Sequence, residues 1–474
     1  MNFYRSCIAS ARDFAPSYSA LVNNNLFQTS FENAYAGNTS FNSAVVIGNN
    51  VINCINTFRG CTNLNQPITI PSGVNTISCQ NMFRGCTKLD ALVRTERVVT
   101  DGNNMFRDCS NLKGNLNITF ASTDKINNIF TGCTALNHDI ILNGVNSYNG
   151  SSMFKSFLGL NRNIRLNNAN NCYQMFYGCT NLNRNIVIGG PNAKNCSQMF
   201  YGCQNLFSDV EVTNISDATM MFYGCSKLSD FSLSNVSNDM NYAAAFAFCA
   251  SLNKSMIVNV INAASIFEGC SSLNAPITIN ANDLSNAFKN CTSLNKPVQI
   301  ESAATMYPYV EAAGMFENCS AYNQPMNIIL NNTARMFCGC RSLNQLIRFD
   351  ATPTNCKQMF KDCINLRQNI SLNPPGAYTD AYEDVFDGCT NLTDVILNFT
   401  LDNRYKRLFS NKNKALRLNI YTVPSYSGDP SPIFSNVVVG NGSLSFEHDY
   451  LHNGSSLRYF NTQYNVYFIL GGWS

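Results

Sequence analysis

The phrase QMFYGCTNLN at Gln174–Asn183 returns as QMFYGCQNLF at Gln198–Phe207, and NMFRGCTKLD at Asn81–Asp90 is the same phrase earlier in the chain. Its consensus is Met-Phe-x-x-Cys-x-x-Leu-Asn. The Phe recurs fifteen times, at Phe58, Phe83, Phe106, Phe130, Phe154, Phe176, Phe200, Phe222, Phe246, Phe267, Phe288, Phe316, Phe337, Phe360 and Phe386, at intervals of 21 to 28 residues. Cys stands three residues later in fourteen copies, with Phe157 the exception, and Leu six residues later everywhere except Tyr322. A period held this faithfully marks a repeat architecture, in which one unit cannot bury its apolar face without its neighbours.

Each copy changes period halfway. Phe, Cys and Leu at i, i+3 and i+6 predict a short helix or 3₁₀ turn with one apolar face. The next stretch alternates, as in Ile68-Thr69-Ile70, Ile164-Arg165-Leu166 and Ile186-Val187-Ile188, which predicts a short strand buried on one face. The expected fold is therefore an α/β repeat. It is a right-handed leucine-rich-repeat-like solenoid with a parallel sheet, short helices and a small C-terminal β cap.

Degenerate units flank the array. Tyr35, Phe41, Val45 and Ile47 stand in the core slots one period before Phe58, and Phe409 follows Phe386 with Lys412 in place of Cys. The expected organisation is an N-terminal cap or attachment segment at 1–30, a solenoid of about 17 units at 31–416, and a β-rich C-terminal cap or docking element at 417–474. The last carries the alternating run Tyr464-Asn465-Val466-Tyr467-Phe468-Ile469-Leu470.

The cysteines share the apolar face with Phe and Leu, so they are expected as buried free thiols that pack as small hydrophobes. A second partial ladder, Cys54, Cys79, Cys172, Cys196 and Cys356, lies four residues before an anchor Phe, in a slot held elsewhere by Ala218, Ala263, Ala312 or Gly102. Asn after the Leu, as at Asn65, Asn183 and Asn274, marks a bend and can satisfy backbone groups from one repeat to the next.

Composition narrows the function. Of 474 residues 45% are hydrophobic and only 13% charged, with 72 Asn, and the net charge is +3. That balance gives no electrostatic reason for a nucleic-acid partner. No apolar run reaches about 18 residues, so membrane insertion is not expected. The first 25 residues lack the apolar core of a secretory signal. Three His and one Trp leave little for histidine chemistry. Glu447-His448-Asp449 with His452 is the one ionisable cluster that includes His, and Cys338-Gly339-Cys340 is an isolated pair rather than a zinc set. No catalytic residue, metal or cofactor is expected, and the chain is read as no enzyme.

The repeated phrase resembles the BspA-like class of leucine-rich repeats over roughly residues 31 to 410. That class occurs in bacterial, protist and phage-associated surface proteins. The resemblance implies recognition or adhesion without catalysis. The sequence departs from the commonest form, which places an Asp- and Ser-rich segment before the next Met-Phe, and it lacks the export signal of a bacterial adhesin. The expectation is a phage virion component of the tail or fibre region, localised to the virion. Its partners would be other virion or surface proteins, or a host surface protein or glycan, within a symmetric assembly. The alternatives are a structural virion or scaffold protein with no receptor, and an adhesin on a bacterial cell surface.

Two surfaces are candidates for binding. Eleven residues after the anchor Phe, the side chain points away from the core, which selects Arg94, Asn117, Arg165, Glu211, Gln299 and Arg348 on the sheet. The two longest repeats carry Tyr307 and Tyr309, and Tyr378 and Tyr382. Extra residues in a solenoid leave as loops, and Tyr suits recognition there.

Overall fold

The structure is a computed structural model. It describes residues 28–397, other than 74–75, 114–115, 117, 121–124, 137–139, 145–147, 192–193, 208–209, 235–239, 302–309, 351–352, 369, 373–380 and 393, together with 418–422, 447–449, 457–461 and 466–470. The chain forms two compact units, Met1–Met240 and Asn241–Ser474.

In the first unit the alternating segments become parallel strands. Val45–Val46, Ile68–Ile70 and Val93–Thr95 pair in that order. Further along, Ile140–Gly144, Ile164–Asn167, Ile186–Gly189, Val210–Thr213 and Ser232–Ser234 do the same. A second parallel set runs through Tyr148–Asn149, Ala169–Asn171, Lys194–Asn195 and Ile215–Asp217. In the second unit Met256–Asn259, Ile277–Asn280 and Val298–Ile300 are parallel, as are Met326–Ile328 and Ile347–Phe349. Ile370–Leu372, Asp394–Leu397, Leu418–Thr422 and Val466–Leu470 continue parallel, and Leu457–Asn461 and Glu447–Asp449 then add antiparallel. Each unit is a parallel β-solenoid.

The predicted ladders are inside. Anchor Phe rings stack on one another from Phe58 to Phe222 at 5.1 to 5.9 Å between centroids. A second run goes from Phe246 to Phe386 at 5.4 to 5.7 Å. The degenerate first rung joins in: Tyr35 stacks on Phe58 at 5.5 Å, and Val45 pairs with Ile68. Phe409 and Lys412 lie outside the described residues, as does nearly all of the 1–30 segment.

The expected short helices are not there. Among the described residues the Phe-x-x-Cys segments form runs of turns, with no helix. Two residues per rung explain this. Asn56, two before Phe58, has φ 55°, and Gly60, two after it, has φ +73°. The same two slots are left-handed at Gln174 and Gly178, and at Gln198 and Gly202. A residue with positive φ at the third position of a four-residue turn breaks the helical path. The turns close locally, Thr57 N–H donating to the Cys54 carbonyl and Cys61 N–H to that of Phe58. The intervening N–H groups point along the solenoid instead. Those of Asn56, Phe58 and Gly60 donate to Gln80, Met82 and Arg84 in the next rung. The i, i+3, i+6 spacing thus fits a stack of turns as well as it fits a helix.

Candidate interaction surfaces

The interior is chemically quiet. Cys203 Sγ donates to the Phe176 carbonyl at 3.1 Å, and Cys86, Cys109, Cys225 and Cys291 do likewise to the Phe of the preceding rung. Each such carbonyl also accepts the N–H of its own rung's Cys, so the thiol fills a second acceptor site in a place closed to water. Burial pushes the thiols up, Cys61, Cys179 and Cys270 to about 12. They are protonated at neutral pH and therefore poor nucleophiles. The twenty described cysteines are all buried free thiols. Among the described residues no group of His, Cys, Asp or Glu is placed to hold a metal ion, and no helix is long and apolar enough to cross a membrane. His138 and His452 fall outside the described residues, and for His448 the description covers only its strand.

Amide side chains hold the bends. Asn65 Oδ1 accepts the Asp90 N–H, Asn253 that of Asn274, and Asn274 that of Asn295. A further ladder was not legible as such in the phrase. Five residues before the anchor Phe, Asn53, Asn171, Asn195, Asp217, Asn262 and Asp283 each accept the N–H two residues on. This is the Asx-turn preference of short polar side chains. The recurrence of Asn or Asp at that one slot was the available signal.

The outward sheet face carries most of the expected residues. Arg94 has 63% of its side chain exposed, forms an ion pair with Glu96 at 3.0 Å, and is in register with Thr69 and Val46. Arg165, Val187 and Glu211 lie side by side on consecutive strands, with Arg165 and Glu211 exposed. On the second unit Ile257, Thr278 and Gln299 are in register, Ile257 being 77% exposed, and Asn327 pairs with Arg348. Asn117 lies outside the described residues. Among the described residues the face is therefore a set of mostly polar rows in which two large apolar side chains, Val46 and Ile257, are exposed.

The loop tyrosines fare differently. Tyr307, Tyr309 and Tyr378 lie outside the described residues. Tyr382 is 1% exposed and is no loop contact. It stands four residues before Phe386, in the slot that holds Cys356 one rung earlier, and its side chain hydrogen-bonds Cys356. Counting back from Phe386 places it in the core, and that register outweighs the length of the repeat.

A third surface was missed. One residue after the anchor, Tyr177, Tyr201 and Tyr223 stack at 4.8 and 4.7 Å with planes within 4°. Lys155 Nζ sits 5.0 Å from the Tyr177 centroid and donates to Gln174 Oε1 at 2.7 Å. Gln174 in turn donates to Gln198 Oε1 at 2.7 Å.

A family described as the BspA type leucine rich repeat region matches residues 51–183 and 312–427 in six copies, together more than half of the chain. A second, described as a Mycoplasma protein of unknown function, matches 151–259 and 240–333. A solved leucine-rich repeat protein from Bacteroides ovatus is 17% identical, covering 84% of this chain and 91% of that one, with a TM-score of 0.39. The plant peptide hormone receptor RGFR1 in complex with RGF2 is 12% identical, covering 81% and 75%, with a TM-score of 0.20. No curated protein matches the sequence.

Proposed function

The chain belongs to the BspA type leucine-rich repeat family, and on that premise we propose that it is a non-enzymatic recognition protein whose outward sheet face binds a protein partner. The observation that carries this is the register of that face. Arg165, Val187 and Glu211 are fixed one strand apart by backbone pairing, so the side chains meet a partner preorganised. Thiols kept protonated by burial serve packing and hydrogen bonding, which supports a role without covalent chemistry. The finer reading is adhesion to a host surface ligand, by a component of a phage virion. Its support is the repeat phrase alone, whose class includes phage-associated surface proteins. The alternative places are a scaffold without a receptor and a bacterial cell surface.

The test uses labelled full-length protein on intact bacterial cells, before and after protease treatment of the cells. Binding that protease abolishes, and that Arg94→Ala/Arg165→Ala/Arg348→Ala weakens without lowering the melting temperature, supports the reading. Unchanged binding by the triple variant removes the sheet face. Antibody detection in purified phage particles against cell-envelope fractions decides the location, and absence from particles contradicts the virion reading.

A further inference from the structure

The two units use the row one residue after the anchor Phe in opposite ways. In the second unit its cations are neutralised. Lys289 meets Glu317 at 3.6 Å, Lys361 meets Asp387 at 2.6 Å, and Glu317 also takes Arg335, from two residues before Phe337 and outside the row, at 2.7 Å. In the first unit the row begins Arg59, Arg84, Arg107, Thr131, Lys155 and ends in the tyrosine stack, with no acidic member. Among the described residues Arg59 and Arg84 make no ion pair, while Arg107 pairs with Asp108 at 3.5 Å and donates to Asn104 Oδ1 at 3.4 Å.

Backbone bonds hold these cations in line. Gly60 N–H donates to the Arg84 carbonyl at 2.7 Å and Gly85 N–H to that of Arg107 at 2.8 Å. Their backbones are therefore one rung apart, about 4.8 Å as in any sheet. Like charges at neighbouring positions oppose folding unless an anion lies across them. The neutralised row of the second unit shows that the fold itself does not require this arrangement.

The neighbouring rows say what kind of anion fits. Beside the arginines stand part-exposed amides such as Asn81 and Asn104 and hydroxyls such as Thr87 and Ser110. Among the described residues the large apolar side chains exposed from the Phe58 rung to the Phe130 rung are Ile52, six residues before its anchor, and Leu92, nine after its own, and neither lies in these rows. A protein partner needs an apolar or aromatic centre to desolvate, and the rows beside the arginines offer none. Single-stranded nucleic acid needs open ring faces for its bases. The Tyr177, Tyr201 and Tyr223 rings face one another instead.

We infer that this row of the first unit binds a linear polysaccharide whose sugars carry carboxylates. Arg59, Arg84 and Arg107 pair with the carboxylates in the bidentate geometry guanidinium favours. The flanking amides and hydroxyls meet the sugar hydroxyls, and the tyrosine edges extend the track. This face is separate from the outward sheet face, and the inference does not rest on the function proposed for that face.

The experiment is calorimetric titration of the full chain with polygalacturonate at low salt. Arg59→Gln/Arg84→Gln/Arg107→Gln is compared with Arg162→Gln/Arg184→Gln/Arg367→Gln, which removes the same charge from exposed positions outside the row. The row variant is expected to bind about tenfold more weakly or worse, and the comparison variant within about twofold of wild type. Binding should weaken as salt screens the charges. The row variant should melt no lower than wild type, because repulsion is relieved. Should it fail to fold, the single Arg84→Gln change carries the test, with about threefold weaker binding expected. The inference is overturned if wild type does not bind polygalacturonate or if both triple variants lose binding equally. It also fails if polyglutamate or oligo-dT binds more tightly than polygalacturonate.

Discussion

At the scale of single residues, the ladder thiol both fills space and donates a hydrogen bond. Packing was legible from the sequence, since Cys shares a face with Phe and Leu. The bond was not, because it joins residues a whole rung apart, as Cys203 does with Phe176. Cys203→Ala removes the donor and leaves a small void, and should cost about 1–2 kcal/mol in urea denaturation. Tyr322 is the opposite case. It replaces the ladder Leu and stacks on Phe316 at 4.5 Å, but its hydroxyl is buried with no partner among the described residues. Tyr322→Phe should therefore be neutral or stabilising, by up to about 1 kcal/mol. A clear loss of stability would reveal a partner for that hydroxyl. The thiols also set a pH dependence. Burial raises Cys54, Cys61, Cys179, Cys270 and Cys356 from 9.0 to about 12. The folded state keeps these protons while the unfolded chain gives them up, so the contribution is full below pH 9 and is lost as pH rises to 12. The melting temperature under reducing conditions should fall across that window, and a flat profile would contradict it.

At the scale of the element, the strands followed from alternation, and the inside of each turn followed from the Phe, Cys and Leu spacing. The turn is not separable from a helix by that spacing, because three apolar residues at i, i+3 and i+6 satisfy both. Gly two residues after the anchor, as in Gly60, Gly85, Gly178 and Gly202, was the discriminating signal, since a short helix gains nothing from Gly there. Its cost when replaced can be separated into conformation and space. Gly202 has φ +72° and open room around a Cβ, so Gly202→Ala should cost about 1 kcal/mol through conformation alone. At Gly159 φ is not left-handed, but a Cβ would collide with the Thr134 backbone carbonyl. Gly159→Ala should cost more than Gly202→Ala in the same denaturation assay, because backbone has to move. The reverse order would mean that the backbone at Thr134 yields more cheaply than the left-handed turn at Gly202, and would contradict the close approach at Gly159.

For the molecule as a whole, the proposed function depends on rows of side chains held in register, and legibility tracks periodicity. The outward sheet face was readable because every second strand residue points out, and Arg94, Arg165, Glu211, Gln299 and Arg348 are exposed there. The arginine and tyrosine row on the turn face was not, because its slot is an unconstrained position in the phrase and shows itself only when rungs stack. Tyr382 belongs to the core because its distance from Phe386, and not the length of its repeat, sets its slot. Both surfaces stand or fall with the all-turn rung, and far-UV circular dichroism of the full chain tests that rung most directly. The account predicts a β- and turn-type spectrum without the helical double minimum. A helical signal matching one short helix per repeat would contradict it.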